Sequence, residues 1–523
     1  MAKARCDAQR WRQANPGSRD ARCNLIRFLW LSAALPALLS CPAWAAKWEL
    51  VPTLSLVETY TDNISLTPDA AKRSDWVTQV IPGISIAATG ARLRFNVVYA
   101  PEFVYYARGQ EDNKVYQRLN ATGNAELAKK LLFVDAGARV EQYNVSLQGP
   151  LTTSNVNTTG NRSTVENYFV SPYLQRDFGS AVQAEARFTY SVANSDDTSS
   201  LSNSVADRIN LRLASGPAYK VLTWNLAYSK ETIDYDDRLL DTTTEVSLAN
   251  ARQLITATVG LLGSVGYEKY SRTIGRGSDG PSWSAGFDWA PTPRTSLVAT
   301  VGERFYGDTY AFDFKHRARL TTWSAGYRQD ITTTRSEFFI PAITSTAGYL
   351  DALFSSRFPD PVARQKAVEE FIARTGLPPS LDAPINVFVN QLFLQKSWHA
   401  SAGILGVSNV LIANVFGQTR EGLVGNTVLP TAPNTSIQTG TSLLWNWRMT
   451  ARNAWNLATG YSRNEFPNTG EIAYLTKVTM GLTRQFQPRL SGSLNYRFQQ
   501  NDSNFSASDY TENAVIATLR MRF

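Results

Sequence analysis

Beyond Cys41 the chain has no cysteine; Cys6, Cys23 and Cys41 are the only three. The later part can therefore form no disulfide and hold no thiolate-bound metal. Histidine is nearly absent, with His316 and His399 alone, which leaves little material for a histidine-based site. After the first 45 residues no stretch supplies the roughly 20 consecutive apolar residues of a membrane-crossing helix. A phosphate-binding glycine loop, a dinucleotide glycine motif, an EF-hand loop and an HExxH sequence are all missing. Excess charge of one sign is also scarce. The net charge is +8, and removal of residues 1–45 leaves 45 basic and 42 acidic residues, or +3. That balance gives no argument for a nucleic-acid partner.

What is present begins with a leader. Lys3, Arg5, Arg10, Arg12, Arg19, Arg22 and Arg27 precede a short apolar run from Leu25 to Leu39, interrupted by Pro36, and then Ala43-Trp44-Ala45. A basic segment, a short apolar core and an A-x-A site are the parts of a secretory signal peptide. Residues 1–45 are read as that peptide, with Ala43 and Ala45 forming the cleavage site and residues 46–523 the mature chain. Leu38-Leu39-Ser40-Cys41 competes as a lipidation site on Cys41.

The mature chain is rich in Tyr, Trp, Phe, Thr, Ser, Asn and Gly, which suits strands and turns. Its side chains alternate with a period of two. Asn513, Val515, Ala517, Leu519, Met521 and Phe523 share one face; Ala514, Ile516, Thr518, Arg520 and Arg522 share the other. Leu93, Phe95, Val97, Tyr99, Phe103 and Tyr105 oppose Arg92, Arg94, Asn96 and Glu102. Ile209, Leu211 and Leu213 oppose Arg208, Asn210 and Arg212; Tyr310, Phe312 and Phe314 oppose Asp313, Lys315, Arg317 and Arg319. Leu443, Trp445 and Trp447 oppose Asn446 and Arg448, and Leu494, Tyr496 and Phe498 oppose Asn495 and Arg497. Charges between apolar residues need water on their face of the sheet, while the other face needs an apolar medium. In a bilayer every backbone polar group must be paired, so such strands close into a barrel. The alternative is a soluble β-sandwich or β-helix with its apolar face turned inward. The reading adopted is an all-β fold, a transmembrane antiparallel β-barrel of about 22 strands, with 18 to 20 as alternatives and a short helical loop insertion.

Short turn candidates alternate with longer polar stretches. The short ones include Gly90-Ala91, Lys129-Lys130, Phe178-Gly179-Ser180 and Gln487-Pro488-Arg489; the long ones include Thr61–Ser74, Ser146–Ser163, Gly417–Thr435 and Gln500–Asp509. Barrels of this class have short periplasmic turns and longer outside loops. Residues 336–390 break the rhythm. Asp360 suits a helix N-cap and Pro361 a first helical position, Val362, Ala363, Ala367, Phe371 and Ile372 are roughly 3.6-periodic, and Gly376 with Pro378-Pro379 ends the run. This insertion is read either as a cover or partial plug of the lumen, or as a decoration on other loops.

A terminal strand ending in Phe523 resembles the closing strand of bacterial outer-membrane barrels, where that end is read by the barrel-assembly machinery. Trp48 to Pro52 running into Tyr60-Thr61-Asp62-Asn63, with Gly280-Pro281-Ser282-Trp283, Trp289 to Thr295, and Arg304-Phe305-Tyr306-Gly307, resembles the PEP-CTERM system-associated outer-membrane β-barrel family. The resemblance spans the mature chain. It implies a Gram-negative bacterium with an exosortase sorting system and an exopolysaccharide locus. That family supplies no activity and no catalytic residues to transfer.

No catalytic, cofactor or metal residues are expected. His316 falls on the apolar face and His399 follows Trp398, without a local acid or nucleophile motif beside either. Asp196-Asp197 and Asp234 to Asp237 are loop carboxylates, read as solvated charge or as a weak divalent-ion or lipopolysaccharide contact. The expected lumen lining is Arg92, Arg94, Arg208, Arg212, Asp313, Lys315, Arg317, Arg319, Arg448, Arg497 and Arg520. Either these arginines make a cationic pore wall that favours anions, or carboxylates on neighbouring strands neutralise them. The sequence therefore predicts a monomeric pore or conduit, not an enzyme, in contact with outer-membrane lipid and lipopolysaccharide. Its cargo is anionic polysaccharide or exopolysaccharide with the matching export components; a small-solute porin and a structural scaffold are the alternatives.

Overall fold

The structure, a computed structural model, describes residues 46–523 except 110, 153, 197–202, 237–240, 273–276, 423–434 and 505–507. Within 334–391 it describes residues 335, 350, 351, 353, 354, 358, 364, 367, 368, 371 and 372. The leader, its cleavage site and Cys41 lie outside the described residues, as do Asp360, Pro361, Val362 and Ala363.

Twenty-four strand segments join into one antiparallel sheet. β1 (Lys47–Thr61) pairs with β2 (Asp75–Thr89) over its whole length and with the last strand, β24 (Tyr510–Arg522), from Thr53↔Arg522 to Thr61↔Ala514. That seam closes the barrel. β3 (Leu93–Tyr99) and β4 (Glu102–Tyr106) both pair with β2 and form one stave, interrupted at Ala100-Pro101. Proline has no N–H to give to the ladder, so a break falls there. β5 (Lys114–Tyr116) and β6 (Leu119–Ala128) form the next stave. Two such doubled staves reduce 24 segments to a 22-stranded barrel, the number expected from the sequence.

The remaining strands follow in chain order, each paired to its neighbours: β7 (Leu132–Asn144), β8 (Arg162–Phe178), β9 (Val182–Ser195), β10 (Ser204–Ser215), β11 (Leu222–Tyr235), β12 (Thr242–Leu254), β13 (Val259–Arg272), β14 (Ser278–Thr292), β15 (Thr295–Arg304), β16 (Gly307–Arg317), β17 (Thr321–Thr333), β18 (Leu392–Leu405), β19 (Asn409–Gly422), β20 (Thr435–Arg448), β21 (Asn453–Phe466), β22 (Glu471–Gln487) and β23 (Leu490–Ser503). An even number of staves puts Lys47 and Arg522 at the same end as the short turns. Two of these turns use left-handed backbone, at Lys130 (φ 55°) and Gly179 (φ 60°); a glycine reaches that region without steric cost.

The opposite end carries the longer connections, including 62–74, 145–161 and 334–391. Here the sequence reading needs correction. β19 continues to Gly422 and β23 to Ser503, so both strands run further than the loop candidates Gly417–Thr435 and Gln500–Asp509 allowed. Two connections at this end, 305–306 and 467–470, are tight turns, so short and long do not strictly alternate.

Apolar side chains of the outward phase are exposed around the wall, for example Leu56, Trp76, Leu211, Trp283, Trp323, Trp447, Leu494 and Leu519. Soluble monomers rarely expose apolar surface on this scale; in a membrane barrel lipid covers it, with aromatics marking the edges. Near the short-turn edge Trp445 meets Trp455 at 4.9 Å and Trp447 at 6.3 Å between ring centroids. The inward phase holds the buried polar residues. This is an outer-membrane β-barrel.

Candidate functional site: the lumen and its two mouths

Because the side-chain period is two, the register fixes which residues meet inside. Arg208 on β10 lies directly opposite Glu231 on β11, and the two form an ion pair of 2.7 Å. Arg252 holds Asp288 with two bonds of 2.7 Å, reaching from β12 across β13 to β14. Arg304 binds Glu268 at 2.7 Å and Asp330 at 3.4 Å. Arg187 joins Asp135 at 2.6 Å and Glu185 at 2.9 Å, with its guanidinium over the Tyr173 ring. Lys315 pairs with Asp313 at 2.9 Å and Arg497 with Glu512 at 2.9 Å. Much of the middle and upper wall is thus charged but locally balanced. Between β10 and β18 it forms an open recess of about 450 Å³, lined by the hydroxyls of Ser229, Ser264, Ser284 and Thr300 and by the Arg208 and Arg304 pairs.

The expected lining residues separate by height. Arg208 and Arg497 lie in the wall with carboxylate partners. Arg92, Arg94, Arg317, Arg319, Arg448 and Arg520 sit at the short-turn end, with Arg212 just above it and the Lys315–Asp313 pair beside it; Arg92 belongs to the turn before β3 and Arg319 to the turn after β16, neither to a strand. Arg448 donates to the carbonyl of Val407, and Arg522 lies 3.8 Å from Glu49. Phe523 ends the chain on the outward phase, its N–H bonded to the carbonyl of Pro52.

At the long-loop mouth, residues 145–161 fold inward. Leu147 and Leu151 pack with Leu66, Phe466, Leu475 and Tyr510, and Val156 packs with Ile64, Val77, Val104 and Tyr106. The hub is Glu512, which has no solvent exposure. It accepts hydrogen bonds from Thr61 (2.7 Å), Asn157 (2.7 Å), Gln499 (2.7 Å) and Arg497. Gln148 adds a bond to Glu471 and Asn155 one to Glu102. Four donors with one carboxylate fix the loop against first and last strands together.

The second inward element lies in 334–391. Directly after β17, Arg335 is 3% exposed. Its guanidinium donates to the carbonyl and hydroxyl oxygens of Ser204 on β10 and Ser191 on β9. Burial pushes this guanidinium below its ordinary value. Helical residues Leu350, Leu353, Phe354 and Val368 then cluster with Val410, Ile412 and Leu444, with Phe371 and Ile372 alongside. Val410, Ile412 and Leu444 belong to the inward phase near the short-turn end of β19 and β20. Leu353 lies over Gly403 so closely that a Cβ there would come 2.9 Å from it. Arg364 bonds Asp351 at 2.7 Å. The described helical residues thus sit inside the lumen on the β18–β21 wall, while their first anchor is on the opposite side, at β9 and β10.

His316 points outward and shares a 2.9 Å hydrogen bond with Thr295. His399 is inward, opposite Gly326 and Phe416 in the register. Asp196 accepts from Ser163 and Thr164, so it braces a loop. Arg335, Glu512 and the inward apolar patch were not singled out from the sequence. A signal for the patch did exist: Val410 to Phe416 is nearly continuous in apolar residues, as for a strand covered on both faces. Nothing local marks Arg335.

No family model and no curated protein matches the chain. Solved structures do. The FrpB iron transporter of Neisseria meningitidis (F5-1 variant, apoprotein form) aligns over 90% of this chain and 81% of its own, at 9% identity and a TM-score of 0.51. The siderophore receptor PirA of Pseudomonas aeruginosa aligns over 91% of this chain and 80% of its own, at 11% identity and a TM-score of 0.46. The first of these likenesses is one of fold: a large outer-membrane barrel.

Proposed function

We propose that the protein is a non-enzymatic outer-membrane conduit that handles exopolysaccharide in a PEP-CTERM/exosortase setting. The observation that supports it most is the lumen wall, hydroxyl-rich and charged yet paired along its middle. Such a wall replaces water contacts for a polyhydroxylated cargo without trapping it on one strong charge. The motif resemblance from Trp48 to Gly307 supports the exopolysaccharide assignment. Phe523 would present the last strand to the assembly machinery, and the outer loops would meet lipopolysaccharide.

Passage is passive, and the 334–391 insertion restricts it. The test is conductance of the refolded chain, starting after Ala45, in a planar bilayer. Low or flickering conductance that becomes large and steady on deletion of 336–390 is the expected result. A folded barrel that stays non-conducting after the deletion would sink the conduit reading. A second reading, a small-solute porin, is favoured by the recess of about 450 Å³, a volume suited to a small ligand. Exclusion of neutral polymers above a few sugar units from the deletion variant would select it.

A further inference from the structure

The charges of this barrel are sorted along its axis. Take the short turns, the two chain ends and the three strand residues flanking each: among the described residues they hold seventeen basic and three acidic side chains. The same count at the other mouth, leaving out 334–391, gives eight basic and eighteen acidic. Of the seventeen, Arg252 and Lys315 are paired with Asp288 and Asp313 just outside that window; the remaining excess still gives the near-neutral mature chain a dipole between its mouths.

At the short-turn end the basic residues do not all face lipid. Arg94, Arg317, Arg448, Arg520 and Arg522 occupy the lumen-facing phase. Arg319, Arg452 and Arg489 stand in turns and are exposed. Glu49 reaches Arg522 at 3.8 Å only, with both side chains about half exposed, so that contact neutralises little. Charges of one sign around a low-dielectric opening focus the field and concentrate counter-ions there.

We infer that the short-turn, periplasmic mouth is a docking surface for a polyanionic glycan, engaged from the periplasm before it enters the lumen. This rests on the conduit reading and adds the surface that first holds the cargo and its side of entry. The inward members cannot serve lipid headgroups, because the wall lies between them and the bilayer. The acidic outer mouth repels a polyanion approaching from outside, so the field confines its docking to the periplasmic side, while net movement in a passive conduit follows the concentration difference. The paired wall between lets the chain advance once it has entered.

The test uses the chain after Ala45 in phosphatidylcholine nanodiscs, with fluorescent polygalacturonate as polyanion and dextran as the neutral control, read by anisotropy. The comparison is a variant carrying Arg94→Gln, Arg319→Gln, Arg452→Gln and Arg489→Gln, with folding checked by heat-dependent gel mobility. Expected is polygalacturonate binding that weakens with salt and drops about tenfold in the variant, with no dextran binding. Equal affinity in both proteins, equal dextran binding, or no binding would overturn it. So would an effect of the substitutions seen only as altered stability in phosphatidylglycerol discs, which would assign the rim to lipid. Binding by a barrel that stays non-conducting even after deletion of 336–390 would refute the conduit and leave the docking surface; conductance of the deletion variant without binding would do the reverse.

Discussion

Glu512 and Arg335 anchor the two inward elements with little or no exposure. Glu512→Gln keeps the shape but leaves Arg497 facing a neutral amide and turns one acceptor into a donor. Breaking a buried pair from one side costs about 3 kcal/mol, so the urea midpoint should fall and the 145–161 loop should become protease-sensitive. An unchanged midpoint would show the hub to be dispensable. Arg335→Ala removes charge-assisted bonds to two serines, each worth about 1.5–3 kcal/mol at most. Faster proteolysis within 336–390, with barrel melting nearly unchanged, is the expected pattern; cleavage at the original rate would rule out the anchor. At this scale the sequence was only half readable. It placed Arg208 and Arg497 on the wet face, but their carboxylates, Glu231 and Glu512, lie on neighbouring strands. A period read within one strand carries no register with the next.

Among the elements, β18 to β21 carry lipid on one face and the described helical residues of the insertion on part of the other. Gly403→Val should push Leu353 off the wall at a cost of about 1–3 kcal/mol, loosening the insertion while the strands stay paired. Enlarged conductance with normal gel mobility would meet that expectation; unaltered conductance would count against seating at Gly403. Other strands were legible because one medium selects each face. Leu494 on the lipid phase of β23 shows the rule: Leu494→Arg should cost about 2–4 kcal/mol at mid-membrane, whereas Asn120→Lys, on the lumen phase of β6, should cost about 0.5 kcal/mol or less. Equal effects in a folding titration would contradict the assignment of faces. The broken staves were less legible. Pro101 announces an interruption, but pairing of both β3 and β4 with β2 appears only in three dimensions.

For the whole molecule, the strand number and the outward belt followed from alternation and turn spacing. The inward seating of the described helical residues within 334–391 did not, because a helical run says nothing about which side of a wall it will occupy. The axial sorting of charge was equally hidden, since a net +3 averages two mouths of opposite sign. The closing seam has one more effect, on the order in which the molecule can form. Glu512 arrives with the last strand, while Thr61 and Asn157 belong to the first third of the chain, 451 and 355 residues away. Loop closure over such a separation comes late, after the local hairpins have formed. Until β24 meets β1, the 145–161 loop lacks its central acceptor. Sealing the cylinder and securing its outer mouth are therefore a single final step, and an incompletely assembled barrel is also an unlatched one.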